Sequence, residues 1–384
     1  MTPPADVAQP APDPAARPAP DPAAPPEDSA TLDALGEDGV LARILARLPA
    51  ADPAQVPVGP GDDAAVSRIR GPLVTTADML VEGEDFLAAW CDPVRLGIKA
   101  AAQNLADVRA MGAAPHGLVI SLGAPGTTPV GVLTGIMDGF AAEAQRAGAR
   151  VLGGDLSGGP CLIVSVTALG TLAGDPVLRS GARAGDAIVL AGTLGRAAAG
   201  LDLLLAGFAP EGTPPDTPPG TAPSDTAPDT GGPDPTSAAG DPADRARLAA
   251  LIEVQRAPRP DYAAAAVIAA DAHALIDASD GLAGDLGRVA LASGVAAQLD
   301  RAALTGLAAP LIPAARALGA ADPAARALHW VLTGGEDHGF LAAVDPARIP
   351  VGWTRIGTCR AGDGVSLDGE PVADTAFRHF TGDR

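Results

Sequence analysis

Residues 95–112, RLGIKAAAQNLADVRAMG, decide the fold of the first half of the chain, because they predict a helix between two strands. Their apolar side chains recur with the 3.6-residue period of a helix, and Gly112 is a typical helix stop. The apolar positions are Ile98, Ala101, Ala102, Leu105 and Val108. Lys99, Gln103 and Asp107 recur every four residues beside this stripe, so one edge of the helix could face a site.

Strands are predicted on both sides of this helix. Residues 73–76 predict a strand that runs into Asp78, and residues 117–122 predict another. Further helices are predicted at 129–147, 194–206, 245–255, 262–272 and 282–293, and further strands at 150–152, 161–172, 187–191, 273–276, 295–299, 339–344, 353–358 and 365–367. Asp368-Gly369 predicts a hairpin turn. Because helices and strands are mixed rather than strictly alternating, the pattern favours an α+β fold over a doubly wound sheet.

The length and composition indicate two domains. A chain of 384 residues with 47% hydrophobic residues can bury a large core. Residues 1–30 are rich in Pro, Ala and Asp, and we expect them to be a disordered tail. Residues 210–241 are similarly biased and predict a disordered insertion. We therefore predict an N-terminal domain at 31–173 and a C-terminal domain at 174–384.

The charge of the chain argues against some partners. Its formal net charge is −20, and Lys99 is its single lysine. An acidic surface of this kind repels nucleic acids and anionic membranes, so we expect neither as a partner. The three cysteines are widely spaced, and the first thirty residues lack the basic start and apolar core of a signal peptide. The sequence therefore predicts a cytoplasmic protein.

Aspartates stand beside glycine, or at the end of an apolar run, at five points. They are Asp63, Asp78, Asp107, Asp155 and the pair Asp277 and Asp280. Each has an ordinary explanation by itself, as a turn residue, a solvated helix residue or a helix cap. Gathered in one pocket, however, ionised carboxylates repel each other unless a divalent cation lies between them. Mg²⁺ prefers oxygen ligands that it shares with phosphates, so the pattern predicts a metal-phosphate site.

Several common phosphate-transfer motifs are absent from the sequence. It contains no Gly-x-x-x-x-Gly-Lys-[Ser/Thr] loop, and the protein-kinase motifs are missing. The five histidines show no metal-ligand spacing, and we interpret them as scattered surface or core residues; they are His116, His273, His329, His338 and His379.

Taken in order, seven segments resemble the thiamine-monophosphate kinase family, within the superfamily of aminoimidazole ribonucleotide synthetase. They are GDDA at 61–64, TTADMLVEGEDF at 75–86, LGIKAAAQNLADVRAMGA at 96–113, LGGD at 152–155, RSGARAG at 179–185, IDASDGLAGDL at 276–286 and LTGGED at 332–337. They cover nearly everything from about residue 32 to the C-terminus, and it is their order that makes the resemblance specific.

The resemblance implies ATP-dependent transfer of a phosphoryl group to thiamine phosphate, giving thiamine diphosphate and ADP with the help of several Mg²⁺ ions. It also implies an α+β, two-domain PurM-like fold. In that fold the N-terminal domain contributes strands to a β-barrel across a homodimer, and the C-terminal domain is α/β. The site would lie in the cleft.

The resemblance also implies roles for individual residues. Metal ligands would be Asp63, Thr76, Ala77, Asp78, Asp107, Asp155, Asp277 and Asp280. ATP would contact Gly154, Asp155, Arg179 and Ser279, and thiamine phosphate would contact Asp85, Glu336 and Phe377. Two positions depart from the family pattern: Ala77 stands where threonine is frequent, so only its backbone carbonyl could bind metal, and Asp85 stands where histidine is common.

No residue is predicted as a general acid or base. The acceptor is a phosphate that is largely ionised at neutral pH, so direct in-line transfer needs positioning and charge neutralisation instead. Two alternatives remain open. One is another enzyme of the same superfamily, of the aminoimidazole ribonucleotide or selenophosphate synthetase type. The other is a non-catalytic protein that binds nucleotides or thiamine phosphate.

Overall fold

The computed structural model describes residues 29–50, 52–208 and 242–372. The predicted insertion at 210–241, and the predicted tail except for residues 29 and 30, lie outside these ranges. None of the helices in the described part of the chain combines the length and the hydropathy that a membrane crossing requires.

The first half forms a four-stranded sheet covered by helices. Its helices are α1 (Leu32–Leu45), α2 (Pro93–Ala110) and α3 (Val130–Ala147), and its strands are β1 (Leu73–Val81), β2 (Ala114–Ala124), β3 (Val151–Gly158) and β4 (Ile163–Thr171). The strand order is β1-β4-β2-β3. β4 is antiparallel to β1 and β2, and β3 is parallel to β2.

The second half forms a seven-stranded sheet. Its strands are β5 (Ala187–Ala191), β6 (Ala272–Ala278), β7 (Val295–Leu299), β8 (Gly339–Val344), β9 (Thr354–Ala361), β10 (Val365–Leu367) and β11 (Glu370–Pro371), in the order β11-β10-β7-β9-β5-β8-β6. Its helices are α4 (Arg196–Leu205), α5 (Pro242–Arg256), α6 (Tyr262–Ile268), α7 (Leu282–Ser293), α8 (Arg301–Ala308), α9 (Ile312–Ala317) and α10 (Pro323–Thr333). The mixture of two sheets and flanking helices confirms the α+β prediction.

The packing of α2 explains how its polar edge is presented. The Asp92 side chain accepts a hydrogen bond from the Arg95 amide at 3.1 Å and caps the helix. α2 lies close to α3 because glycines stand where they cross: a Cβ at Gly97 would lie 2.0 Å from the Ile136 carbonyl oxygen. α2 is therefore held in place on its apolar side, and the edge that carries Lys99 is left to face the second half of the chain.

The core of the first half extends into the second half. The inward residues of the first half pack together with one face of β5 and β8, including Val189, Phe340 and Ala342. The other face of the same strands, including Ile188 and Leu341, packs under the helices of the second half. The strands on either side of residue 173 belong to different sheets, and the domain division at 173/174 stays a prediction.

Most predicted elements are found, and two acidic segments differ. Asp78 was expected at a strand end, but β1 continues through it to Val81, and Asp78 lies opposite Val166 of β4. Similarly β3 was expected to end before Gly153-Gly154-Asp155, but it runs through them to Gly158. In both cases, pairing along a neighbouring strand outweighs the turn preference of Asp and Gly.

The hairpin prediction is confirmed. Leu367 pairs with Glu370, and both turn residues between them have positive φ, 55° at Asp368 and 83° at Gly369. These angles are those of the turn that follows the twist of the strands. Sequence patterns missed α1 and α8 to α10, of which α8 and α9 are short.

Candidate active site

Carboxylates from both halves of the chain approach each other between α2 and β6. We call Thr76, Asp78, Asp107, Asp277 and His338 the carboxylate cluster. Thr76 and Asp78 lie on the inner face of β1, where the Thr76 hydroxyl donates to Asp107 Oδ2 at 2.8 Å and the Asp78 amide donates to Asn104 Oδ1 at 3.1 Å. β1 and α2 thus fix the first-half carboxylates against each other.

The second half contributes a buried pair to the cluster. His338 Nδ1 lies 3.1 Å from Asp277 Oδ2, and both side chains are almost fully buried. Burial lowers the pKa of His338, but its hydrogen bond to Asp277 and the charges of Asp277, Glu336 and Asp107 outweigh that effect and raise it. The imidazole is therefore held beside Asp277 with its charged form favoured.

The pKa values of the carboxylate cluster show that negative charge is crowded there. Burial, and then the charge of Asp277, raise the pKa of Asp107 to about 7, although the Thr76 hydrogen bond opposes the shift. Burial also raises the pKa of Asp78, with His338 opposing and Asp277 and Asp280 adding to it. A site of this kind favours an added positive charge, whether a proton or a cation.

A buried aspartate shapes the turn that follows β6. Asp285 Oδ2 accepts hydrogen bonds from the amides of Asp280 at 3.0 Å and Gly281 at 3.1 Å. Arg288 contacts Asp285 and donates to Asp280 Oδ2 at 2.5 Å. Gly281 has φ 116° and a Cβ there would lie 2.6 Å from the Thr333 carbonyl oxygen, so glycine is needed at this point.

A second polar group lies farther along the same edge of α2. We call Lys99, Gln255 and Glu336 the glutamate clamp. Lys99 Nζ lies 2.7 Å from Glu336 Oε1, and Gln255 Nε2 donates to Glu336 Oε2 at 2.7 Å. Asp337, the next residue, is buried and accepts from the Ala197 amide at 3.0 Å, at the start of α4. The segment 334–338 is thus bound to three helices.

Several predicted residues lie apart from the carboxylate cluster. Asp63, Asp155 and Arg179 are exposed. Asp155 pairs in register with Ser121 and thereby with Met79, which places it on the outer face of the sheet, opposite the face that carries Asp78.

The remaining predicted residues lie in or next to β1, β3 and β6, except for one that is outside the described residues. Ala77 lies on the outer face of β1, and Asp85 Oδ2 accepts from the Val81 amide at 2.8 Å in the loop after β1. Ser279 accepts the Glu336 amide on its carbonyl oxygen at 2.8 Å. Gly154 lies so close to β2 that a Cβ would be 1.8 Å from the Ile120 carbonyl oxygen. Phe377 lies outside the described residues.

Sequence reasoning missed four residues here: Asn104, Gln255, Asp285 and His338. Asp285 and His338 lie in or directly after segments already singled out, but their chain neighbours do not show which side chains they meet. Within residues 29–50, 52–208 and 242–372, no three His, Cys, Asp or Glu side chains are placed to hold a metal ion.

Comparison with known proteins identifies a family for this chain. Residues 61–172 match the model of the AIR synthase related protein, N-terminal domain. A thiamine-monophosphate kinase of Mycobacterium tuberculosis (strain H37Rv) is 40% identical over 348 residues, which cover 89% of this chain and 91% of that protein.

Solved structures agree with the sequence comparison. A thiamine-monophosphate kinase from Stenotrophomonas maltophilia K279a has a TM-score of 0.67 at 31% identity, covering 87% of this chain and 96% of that one. A structure described as "AaThiL complexed with AMPPCP and TMP" has a TM-score of 0.65 at 28% identity, covering 83% and 91%. The chain belongs to the thiamine-monophosphate kinase family.

Proposed function

We propose that this chain transfers the terminal phosphoryl group of ATP to thiamine phosphate in the cytoplasm, giving thiamine diphosphate and ADP. The observation that supports it best is the carboxylate cluster, in which Asp107 of the first half faces Asp277 of the second. Two negatively charged phosphates must meet in such a reaction, and a site with raised carboxyl pKa values accepts the cation that allows it. The 40% identity to a thiamine-monophosphate kinase supports thiamine phosphate as the acceptor substrate.

The donor set fits Mg²⁺, which is an inference from its chemistry. Mg²⁺ is usually held by one or two carboxylates together with phosphate oxygens and waters, rather than by a cage of side chains. Since no three of these side chains converge on one point, Asp78, Asp107, Asp277 and Asp280 would each supply a carboxylate to one of several ions, beside phosphate oxygens and waters. When bound, Mg²⁺ would neutralise charge on the two phosphates as they approach. Asp63, Thr76, the Ala77 carbonyl and Asp155 remain predicted ligands.

The side chains of the protein then orient the two carboxylates and bind the two substrates. Thr76 holds Asp107 and His338 holds Asp277, so that neither carboxylate has to reorganise. Arg179, Gly154 and Ser279 are the predicted contacts to ATP, and Glu336, Asp85 and Phe377 those to thiamine phosphate. The acceptor phosphate is already ionised, so the attacking oxygen needs no general base.

We also propose a homodimer. The outer face of the four-stranded sheet carries the exposed apolar side chains Leu73, Met79 and Val119. An apolar sheet face of this kind is typical of an interface with a second copy, and the strands would pair there into the predicted barrel.

The direct test is to incubate the purified chain with ATP, MgCl₂ and thiamine phosphate and to separate the products. We expect thiamine diphosphate and ADP in equal amounts. Binding of both ligands without product would favour the non-catalytic alternative. Turnover with another acceptor but not with thiamine phosphate would favour a different enzyme of the superfamily.

A further inference from the structure

The only lysine of the chain is buried, which is a costly position for an ammonium group. Lys99 is 3% exposed and lies on α2, in the first half of the chain. Its Nζ lies 2.7 Å from Glu336 Oε1 and donates to the Gln255 carbonyl oxygen at 3.2 Å. A buried charge needs such partners, but it rarely adds stability over an apolar residue of the same size. A reason other than stability is therefore indicated for Lys99.

Gln255 supports the same conclusion. Its Nε2 donates to Glu336 Oε2 at 2.7 Å, while its Oε1 is buried and has no hydrogen-bond partner in the described part of the chain. A buried amide with one end unsatisfied contributes little to stability. The Gln255 side-chain amide and the second carboxylate oxygen of Glu336 nevertheless hold each other in place.

Both carboxylate oxygens of Glu336 are thus held, yet its side chain remains 37% exposed. Glu336 also has φ 66°, a left-handed backbone conformation that is strained for a residue with a side chain. Strain of this kind persists where surrounding contacts enforce it, and it is frequent at ligand sites. The clamp therefore fixes a carboxylate and leaves part of it open.

The electrostatics of the glutamate clamp agree with this geometry. Burial by itself would raise the pKa of Glu336, but the charge of Lys99 and the hydrogen bonds from Lys99 and Gln255 lower it overall. Glu336 accordingly stays ionised and ready to attract a cationic ring or an N–H donor.

We propose that Lys99 and Gln255 are positioning residues for the acceptor substrate: they hold Glu336 between α2, α5 and residues 334–338 so that its open side binds the cationic, amino-bearing part of that substrate. This rests on the proposed function, in which Glu336 contacts thiamine phosphate. Lys99 and Gln255 act on binding of the acceptor, not on phosphoryl transfer.

The test is to measure steady-state kinetics of the full chain for three single variants, Lys99→Met, Gln255→Met and Glu336→Gln. The fourth variant combines Lys99→Met with Glu336→Gln. We expect the KM for thiamine phosphate to rise about tenfold in Lys99→Met, which corresponds to one hydrogen bond to a charged group. Gln255→Met should raise it several-fold at unchanged thermal stability. The KM for ATP should stay within about twofold, since none of the three clamp side chains is a predicted contact to ATP.

Arg95→Met is the matched control. Arg95 lies on the same helix and its Nε is 2.7 Å from Glu253 Oε2, so it also joins α2 to α5, but it does not contact Glu336. It should leave both KM values unchanged. An equal rise in Arg95→Met would show a merely structural link and overturn the proposal.

The double variant separates positioning from structure. If Lys99 acts through Glu336, the double variant should be no worse than Glu336→Gln, because the two changes remove one interaction. Additive losses in the double variant, or a fall in kcat alone in Lys99→Met, would overturn the proposal.

One further measurement is independent of turnover. Amide hydrogen exchange at residues 334–338 should become faster in Lys99→Met and stay unchanged in Arg95→Met. Unchanged exchange in Lys99→Met would overturn the proposal even if the wild-type chain made no product, whereas absence of product alone would refute only the proposed function.

Discussion

The carboxylate cluster and the glutamate clamp lie along the same edge of α2, but their charges are balanced in opposite ways. In the cluster, the charge of His338, which also pairs with Asp277, does not outweigh burial and the neighbouring carboxylates, and the pKa values of Asp107 and Asp78 are raised. In the clamp, the charge of Lys99 and the hydrogen bonds from Lys99 and Gln255 outweigh burial and lower the pKa of Glu336. Along one edge of α2 there is thus one acidic site with little positive charge beside it and one acidic side chain that Lys99 of the helix already pairs with. Under the proposed function, the first binds a cation with the phosphates, and the second binds the acceptor substrate.

Removing one carboxylate of the cluster should have the largest effect on activity. We expect Asp107→Asn to lower kcat/KM by at least about 10²-fold, as loss of an electrostatic group at a reacting centre does. Asp138→Asn is the control, because Asp138 pairs with Arg47 at the surface. Wild-type turnover by Asp107→Asn at saturating MgCl₂ would contradict the assigned role.

Displacing α2 should disturb both regions together. A Cβ at Gly97 would lie 2.0 Å from the Ile136 carbonyl oxygen, so Gly97→Ala should lower the free energy of unfolding by about 1–3 kcal/mol and reduce activity. Gly306 is helical with open space around it, so Gly306→Ala should stabilise by up to about 1 kcal/mol. Urea unfolding measures both variants. Equal effects would show that the close approach of α2 and α3 is not needed.

Two buried aspartates with raised pKa values predict how stability depends on pH without metal. Asp107 and Asp285 have pKa values of about 7 in the folded chain, against an ordinary 3.8. Between pH 3.8 and about 7 the native state therefore binds more protons than the unfolded chain. The contribution of these two groups to stability is most favourable at low pH, and it falls as the pH rises towards about 7. Asp107→Asn should be more stable than wild type at pH 8 in EDTA, by about 1 kcal/mol or more, and this advantage should be smaller at pH 5, which lies between the two pKa values.

Urea unfolding in EDTA at the two pH values measures this effect. A stability advantage of Asp107→Asn that is the same at both pH values would contradict the proton linkage.

Deleting residues 210–241 should have the smallest effect. With a short linker in their place, we expect kinetics close to wild type, because α4 and α5 would still pack against each other. A folded product with changed kinetics would mean that this segment acts on the clamp, which lies at the end of α5. Circular dichroism and the kinetic assay together decide the point.

Most of the local structure could be predicted from the sequence, but less of the site could. The period of α2, the Gly112 stop and the Asp368-Gly369 turn depend on neighbours in the chain, so they could be predicted from pattern. Asp78 was predicted at a strand end because aspartate is a typical turn residue. Only its pairing with β4 shows that the strand continues.

The tertiary partners of the site could not be read from spacing. His338 carries no metal-ligand spacing, yet its ring meets Asp277 across 61 residues of chain. Gln255 follows an ordinary helical pattern and meets Glu336 across 81 residues. Such pairs are set by how the two halves pack. That Lys99, Gln103 and Asp107 share one edge of a helix was predictable, and what each of them faces was not.

The central claim is that the carboxylate cluster binds the cation with the phosphates, and that the glutamate clamp binds the acceptor substrate. It is tested most directly by titrating MgCl₂ and thiamine phosphate separately against wild type, Asp107→Asn and Gln255→Met, with formation of thiamine diphosphate as the readout. We expect Asp107→Asn to impair the response to MgCl₂ and to leave the KM for thiamine phosphate close to wild type, and we expect Gln255→Met to do the reverse. No product from wild type, or the same response of both variants to both titrations, would contradict it.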